Sequence, residues 1–274
     1  MLVLKAFAVA HRTGGSDTVA DLSKLKNFTN LGLGNTFSVK NYVEVLGSIP
    51  LKKIQDSVTP AQFSDITEQI NKLYSKMSSD YINIAKGAHG EMLSLADAVL
   101  AENYIEVITG LQIRVDIDPN GQEFVRVMDS QRLINGVVKN IDNKAWSRGY
   151  LEEGLRRSLS MTAKNGDEAG ERFGQLLRDI KDFQLNGEFE VRWDFSKEIT
   201  IGGSPQISSP NDIANVLKDI IKKNDSIKEN IGRTVNLKGP DLDEFINEDL
   251  IPALPSLFKI ESYDNVVATI STSN

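Results

Sequence analysis

Phe189-Glu-Val-Arg-Trp-Asp-Phe195 is the segment that best indicates the fold, because apolar and charged residues alternate along its whole length. Alternation with a period of two places apolar side chains on one face of a β-strand and charged side chains on the other. We therefore predict a strand here, with its apolar face against the core and its charged face in water. Residues 198–201 are expected to continue the sheet.

The strongest helix signal lies upstream, at Thr59-Pro60-Ala61-Gln62. Thr59 is a good N-cap, Pro60 suits the first helical position, and Gln62 can complete a capping box. An apolar stripe then follows at steps of three and four: Phe63, Ile66, Ile70, Leu73, Met77, Tyr81 and Ile84. This spacing predicts one continuous helix that pairs with another long helix, either in the same chain or in a second copy. We expect Gly87 and Gly90, which flank His89, to end it before a second, antiparallel helix that runs to Gly110.

A β-hairpin is predicted next, because apolar residues alternate over 111–118, a second extended run covers 122–128, and Asp118-Pro-Asn-Gly121 between them has turn chemistry. Helical spacing returns over 129–161 and again after Asp167, where the helix would bury Phe173, Leu176, Leu177 and Ile180. Ser209 is expected to cap a further helix. An acidic helix begins near Pro240 and is disrupted at the later prolines, and a strand is expected over 263–271.

These elements predict an α+β fold dominated by helices, in which long amphipathic helices pack on a small, mostly antiparallel sheet built from hairpins. Three regions follow from the pattern. Residues 1–58 form an N-terminal strand and a glycine-rich arm, residues 59–182 are mainly helical with a hairpin near 111–128, and residues 183–274 form an α+β C-terminal region. The three are compatible with one continuous domain.

The composition excludes several classes of protein. The chain has 274 residues, a formal net charge of −7 and no cysteine, so disulfides, thiol nucleophiles and cysteine-ligated zinc are excluded. The acidic balance argues against a nucleic-acid coat. No stretch approaches the roughly 18–20 apolar residues of a membrane helix. Met1–Ala10 is apolar but has no basic segment before it and contains Lys5, so we predict an opening strand rather than a signal peptide, and a cytoplasmic location.

Asp116-Ile-Asp118-Pro-Asn120-Gly121 resembles the first half of a calcium-binding loop. The twelfth position of such a loop needs a bidentate Glu, and Val127 stands there instead. The flanking segments also have the pattern of strands, where a calcium loop of this type requires helices. A hairpin turn explains the same residues, so no metal site is assigned.

Other titratable groups receive structural interpretations. We expect His11 at the surface and His89 in a turn. Glu188, Glu190 and Asp194 share the charged face of the predicted strand with Arg192, where three carboxylates could hold a divalent ion but are more simply solvated. A further acidic group near a helix start complements the helix dipole: Asp241, Asp243, Glu244, Glu248 and Asp249. No catalytic, cofactor-binding or metal-ligating residue is therefore assigned, and no cofactor is expected.

Phosphate and nucleic-acid signals are also weak. Gly32-Leu-Gly34 lacks the third glycine of a dinucleotide-binding loop. A group of arginines is interleaved with acidic residues on predicted helices: Arg148, Arg156, Arg157, Arg172 and Arg178 with Glu152, Glu153, Glu171 and Asp179. Interleaving favours intrahelical ion pairs over a continuous phosphate track.

The leading functional hypothesis is a non-enzymatic structural or assembly protein that contacts copies of itself or other subunits, such as a subunit of a phage particle. It rests on the 60–85 stripe, the N-terminal arm, and the contrast between the basic segment 131–181 and the acidic segment 182–274. Two alternatives remain open at this point. One is a metal-assisted enzyme with a site built from Asp and Glu, and the other is a nucleic-acid adaptor that uses the predicted basic helices of 131–181.

Overall fold

The computed structural model of the protein describes residues 49–77, 81–117, 125–163 and 171–272. The predicted N-terminal strand and arm, His11, the Gly32–Gly34 pair, the Asp118–Gly121 turn and Asp167 lie outside the described residues. Within them, helices pack on a five-stranded sheet, and the predicted α+β, helix-dominated class is confirmed.

The helices are α1 Leu51–Gln55, α2 Pro60–Met77, α3 Ile82–Leu100, α4 Leu151–Ser158, α5 Gln175–Asn186, α6 Pro210–Lys222, α7 Asp225–Val235, α8 Pro240–Glu244, α9 Ile251–Leu257 and α10 Asp264–Thr272. The strands are β1 Glu106–Asp116, β2 Val125–Ile134, β3 Val137–Lys144, β4 Met161–Ala163, β5 Glu171–Phe173, β6 Val191–Phe195 and β7 Phe258–Ile260. Short 3-10 turns cover Arg148–Tyr150 and Lys197–Thr200.

The main sheet has the order β1-β2-β3-β6-β7 and is mixed. β1, β2 and β3 are antiparallel neighbours, whereas β6 is parallel to both β3 and β7. Parallel neighbours need crossover connections, and here those connections are the helical segments between β3 and β6 and between β6 and β7. β4 and β5 form a separate two-stranded ribbon.

The apolar stripe of the first long helix is buried inside the chain. Ile66, Ile70, Leu73 and Met77 of α2 belong to the same buried cluster as residues of α3 and β1. The predicted helix boundary is wrong: α2 ends at Met77, and α3 runs from Ile82 straight through both glycines. The helix packs closely at one of them, since a Cβ on Gly90 would lie 3.3 Å from the Cβ of Ala145.

The helix predicted over 129–161 is wrong for its first half, which forms the β2–β3 hairpin instead. The two strands are joined by Asn135-Gly136, with φ angles of 52° and 81°. Positive φ at both central residues is the geometry of a type I′ turn, which Asn-Gly favours because glycine carries no Cβ. Only the second half of the predicted helix exists, as α4.

Several boundaries in the C-terminal half also differ from the prediction. Residues 197–200 form a 3-10 turn rather than a strand, and 264–272 form α10 rather than a strand. The chain stays helical through both prolines of α9, and a wider π-helical turn over 245–250 connects α8 to α9. Phe173 lies in β5, and α5 begins at Gln175. The predicted cap at Ser209 is confirmed, with a complete capping box to Asp212.

Two buried apolar clusters cover the sheet. The larger contains Trp193 and Phe195 of β6 and is closed by α4 to α9. The smaller lies between α2, α3, β1 and the start of α10. β6 therefore has protein on both of its faces.

Candidate functional site

The charged face of β6 is buried rather than wet, which corrects the prediction made from its alternation. Asp194 is only 1% exposed, and the Arg192 guanidinium pairs with it at 2.6 Å. Glu188 and Glu190 precede the strand and are exposed, and Glu188 lies 3.8 Å from Lys139. The three carboxylates proposed to share a face therefore do not converge on one point.

Six charged side chains instead form what we call the inter-strand charge cluster: Glu106, Arg132, Arg192, Asp194, Lys259 and Glu261. Glu106, the first residue of β1, is its centre. Its carboxylate lies 2.6 Å from Nη1 of Arg132, 3.0 Å from Nη2 of Arg192 and 3.0 Å from Nζ of Lys259. The cluster links β1, β2, β6 and the end of β7, and it contains three basic and three acidic side chains.

The pKa values in this cluster follow from burial and from the nearest charges. Burial alone would raise the pKa of Glu106, but Arg132, Arg192 and Lys259 together hold it well below its usual range. Burial would also raise the pKa of Asp194, and Arg192 more than offsets this. Burial and the neighbouring Asp194 raise the pKa of Glu261 to about 8. Glu261 is therefore the acid of the cluster that holds a proton near neutral pH.

A second group of buried charges, the Arg126 cluster, fastens α5 to the other side of the sheet. Nη2 of Arg126 lies 2.5 Å from Asp142, and its Nε lies 3.0 Å from Asp179 as an ion pair without hydrogen-bond alignment. The indole Nε1 of Trp193 donates to Asp179 at 2.8 Å. Lys144 pairs with Asp142 at 2.7 Å and lies over the Trp193 ring. Every member is buried, so these groups hold the fold rather than face a ligand.

A pair of carboxyl groups, Glu91 on α3 and Asp129 on β2, is bridged by the side-chain amide of Gln112 at 3.0 and 3.5 Å. Burial and the charge of Asp129 raise the pKa of Glu91 to about 8, and burial and Asp142 raise the pKa of Asp129 to about 7. Gln112 has a φ of 50°, an unusual conformation for a residue with a side chain. Raised pKa values and local strain are features of functional sites, and they are also found in buried structural networks.

Apolar residues are exposed at the end of the sheet next to the inter-strand charge cluster. We call Leu133–Val138, together with the adjacent Ile105, the hairpin tip. Leu133 is 37% exposed, Val137 and Val138 are each 49% exposed, and Ile105 is 63% exposed. Leu133 pairs with Val138, and Ile134 pairs with both Val137 and Glu106. Consecutive residues point to opposite faces, so the tip presents apolar groups on both sides of the hairpin.

Of the other residues singled out in the sequence, those that the structure describes have structural roles. His89 is buried inside α3, where burial lowers its pKa to about 4 against the effect of a hydrogen bond to the Met77 backbone. It links two helices and is not a turn residue. Asp241 and Asp243 lie in the first turn of α8, as the dipole argument expects, and the wider turn that follows contains Glu248 and Asp249.

The basic segment 131–181 is helical only in part: α4 carries the exposed Arg156 and Arg157, whereas the first residues of the segment form strands. Arg132 and Lys144 are strand residues buried in the two charge clusters, and Arg148 is buried as well. An intrahelical pair of the predicted kind forms between Arg157 and Glu153, whereas Asp179 pairs with the distant Arg126. Part of the excess positive charge therefore compensates acids inside the fold.

Comparisons of the chain with protein-family models, curated proteins and solved structures find no match. Among the residues that the structure describes, no three His, Asp or Glu side chains are grouped so that they could hold a metal ion. In the same residues, no helix is both long enough and apolar enough to cross a membrane.

Sequence reasoning missed the hairpin tip although a local signal was present. Asn135-Gly136 stands between two apolar pairs, which is the strongest short-range indication of a two-residue hairpin. The charge clusters had no such signal, because their members come from strands and helices that are far apart in the sequence.

Proposed function

We propose that this protein is a non-enzymatic subunit of an assembly and that the hairpin tip is its contact with a second copy of the chain. The observation that supports this is the exposure of Ile105, Leu133, Val137 and Val138 at one end of the sheet. Single exposed apolar residues are common on protein surfaces, but Leu133 and Val138 are paired neighbours, and a group of exposed apolar residues is typical of an interaction site. Covering such side chains removes apolar area from water at about 25 cal/mol per Å².

The tip is held by a rigid base, which favours specific contact. Ile134 pairs with Glu106, and Glu106 is fixed by three cations of the inter-strand charge cluster. A surface that is ordered before binding loses less conformational entropy when a partner docks. The tip is therefore suited to be a preformed contact.

A second copy is the partner that the chemistry of the tip favours. From Leu133 to Val138 the sequence is Leu-Ile-Asn-Gly-Val-Val, without a charged side chain. Two copies with a net charge of −7 each repel one another over most of their surfaces, but this patch adds no repulsion where they would meet. A twofold axis at the tip would pair the patch with itself, the usual arrangement in homodimers.

This proposal moves the assembly contact from the 60–85 stripe to the end of the sheet. Ile66, Ile70, Leu73 and Met77 of the stripe are buried within the chain, whereas Tyr81 and Ile84 at its end are exposed. Incorporation into a large particle such as a phage virion, assembled in the cytoplasm, is the narrower form of the same proposal. It would need further contacts besides the tip, because a twofold contact alone closes at a dimer.

The test is the molar mass in solution, measured by light scattering on a sizing column over a range of protein concentrations. We expect the wild type to reach a dimer or a larger species as concentration rises, and Val138→Lys to shift that transition at least tenfold towards higher concentration. Val127→Lys is the matched control, since Val127 is 54% exposed on β2 but outside the tip. A wild type that stays monomeric throughout, or equal effects of the two substitutions, would refute the proposal.

A further inference from the structure

A cleft of about 400 Å³ lies between the start of α4 and the loop before α6. It is lined by Arg148, Gly149, Glu152, Glu153, Arg156, Gly203 and Ser204. A second cleft of about 390 Å³ shares Glu152 and Arg156 with it and continues along Gln206, Asn215 and Lys218. The two clefts are on a different part of the molecule from the hairpin tip.

Arg148 is a buried cation that forms no ion pair with any residue that the structure describes, although Glu152 and Glu153 line the same cleft. It is 6% exposed, and its Nε donates to the carbonyl of Pro205 at 3.0 Å. Its Nη2 is fully buried and has no hydrogen-bond partner among the described residues. No carboxylate in the described part of the chain lies within ion-pairing distance of it, in contrast to the buried Arg126 and Arg132.

The neighbouring loop packs directly on Arg148. Gly203 has a φ of 80°, and a Cβ at this position would overlap the Cγ of Arg148. Glycine is therefore required both by the backbone conformation and by the close approach. Together with the hydrogen bond to Pro205, this contact fixes the stem of the arginine beside the cleft.

A buried guanidinium without a counter-charge is costly, and buried charges in proteins are normally paired. An anion bound in the cleft that Arg148 lines would supply the missing counter-charge. Arg156, an exposed residue of α4, is a second cation lining the cleft, and within the described residues it has no ion-pair partner. Arginines suit phosphate because their planar donors match its oxygens and two of them balance a dianion.

We infer that this cleft binds a small phosphate ester, with the phosphoryl group between Arg148 and Arg156 and the organic part in the adjoining cleft. Glu152, which lines both clefts, is placed to accept a hydrogen bond from a hydroxyl of that organic part. Gln206 and Asn215 offer further polar contacts along the second cleft. Glu152 and Glu153 line the first cleft, and Asp212 and Asp219 line the second. These carboxylates restrict the organic part of the ligand to one that brings hydroxyl groups, rather than a second anion, next to them.

The test is calorimetric titration of the full chain with inorganic phosphate and with ribose 5-phosphate, using ribose and sodium chloride at matched ionic strength as controls. We expect saturable binding of both phosphates, tighter for the ester, and none for ribose or chloride. Arg156→Gln should weaken the binding at least tenfold, while Arg114→Gln, which removes an exposed arginine on β1, should leave it unchanged.

Arg148→Gln is expected to abolish binding. If that variant does not fold, Arg156→Gln still decides, because Arg156 is exposed and its replacement leaves the core intact. Absence of saturable binding of either phosphate to the wild type would overturn the inference. Equal weakening by Arg156→Gln and Arg114→Gln would also overturn it, since it would indicate only a general effect of charge.

Discussion

The hairpin tip and the buried charges of the same sheet differ in solvent exposure, in the opposite sense to that expected from their polarity. At the tip, valine and leucine side chains are about half exposed, whereas Arg126 and Arg132 are almost fully buried on the strand that leads to it. Ile134 of the tip even pairs with Glu106, the centre of the inter-strand charge cluster. Exposed apolar residues thus lie next to buried charged residues on the same strands.

This contrast shows that polarity alone does not decide which residues a sheet buries. A charged side chain can be buried when opposite charges come within hydrogen-bond distance from other strands, as around Glu106. An apolar side chain stays exposed when no helix extends over it. The coverage of each sheet position by other elements determines its burial.

The largest expected effect comes from removing one buried charge while its partners remain. Among the residues that the structure describes, Arg126→Met leaves Asp179 with only the Trp193 indole as a hydrogen-bond donor and Asp142 with Lys144 as its ion-pair partner. We expect a loss of about 3–5 kcal/mol in the free energy of unfolding, measured by urea denaturation. Arg157→Met removes an exposed ion pair on α4 and should leave the midpoint unchanged. A comparable loss of stability in both variants would show that burial of the charge does not determine its contribution to the free energy of unfolding.

The second prediction concerns the pH dependence of stability. Since burial raises the pKa of Glu91 in the folded protein to about 8, above the unfolded value near 4.5, the folded state binds more protons between these values. The contribution of Glu91 to stability is therefore present below about pH 4.5 and is lost as the pH rises towards 8. Glu91→Gln should stabilise the protein at pH 8, by on the order of 1–2 kcal/mol, and have little effect at pH 4.

Urea denaturation at a series of pH values tests this expectation. Glu68→Gln serves as the control, because Glu68 is an exposed acid whose pKa is lowered by a hydrogen bond and charge interaction with Lys72. It should not reproduce the gain at pH 8. A Glu91→Gln variant that is no more stable than the wild type at pH 8 would contradict the assigned direction of the pKa.

The third prediction tests the turn that forms the hairpin tip. Gly136→Ala places a Cβ at a φ of 81°, which we expect to cost about 1 kcal/mol of the free energy of unfolding. Gly149→Ala is the control, because Gly149 has no positive φ and a Cβ there meets no atom within 4 Å. Urea denaturation of both variants separates the strain in the turn from the general effect of replacing a glycine by alanine. Equal stabilities of the two variants would refute the type I′ assignment.

The smallest effect is expected for a matched pair of valine substitutions. Val137→Thr at the tip should change the free energy of unfolding by less than about 0.5 kcal/mol, because the added hydroxyl remains in water. The same change at Val191, which is 2% exposed on β6, should cost about 1–3 kcal/mol because the hydroxyl is buried. If the two costs are equal, the tip is covered in solution. Repeating the measurement below the dimerisation concentration then shows whether a second copy of the chain covers it.

The sequence predicted those features that depend on neighbouring residues. The helix cap at Ser209, the apolar stripe of α2 and the alternation of β6 were each predicted from local patterns. The Asn135-Gly136 turn was equally local, but the apolar spacing over 129–161 also fits a helix and led to the wrong assignment. In the candidate site, the sequence identified Asp194 and Arg192 as neighbours but not the acids and bases that reach them.

By itself, the sequence determined the helix-dominated α+β class, because capping residues, spacing and alternation act over one or two turns of chain. Only the tertiary structure decided which faces of the sheet are buried, since Glu106, Arg192 and Lys259 meet across strands that are up to 153 residues apart. It also decided the parallel pairing of β6 and the isolation of Arg148 in its cleft. The physical reason is that burial and charge compensation depend on which distant elements pack together. A local sequence pattern does not indicate which elements those are.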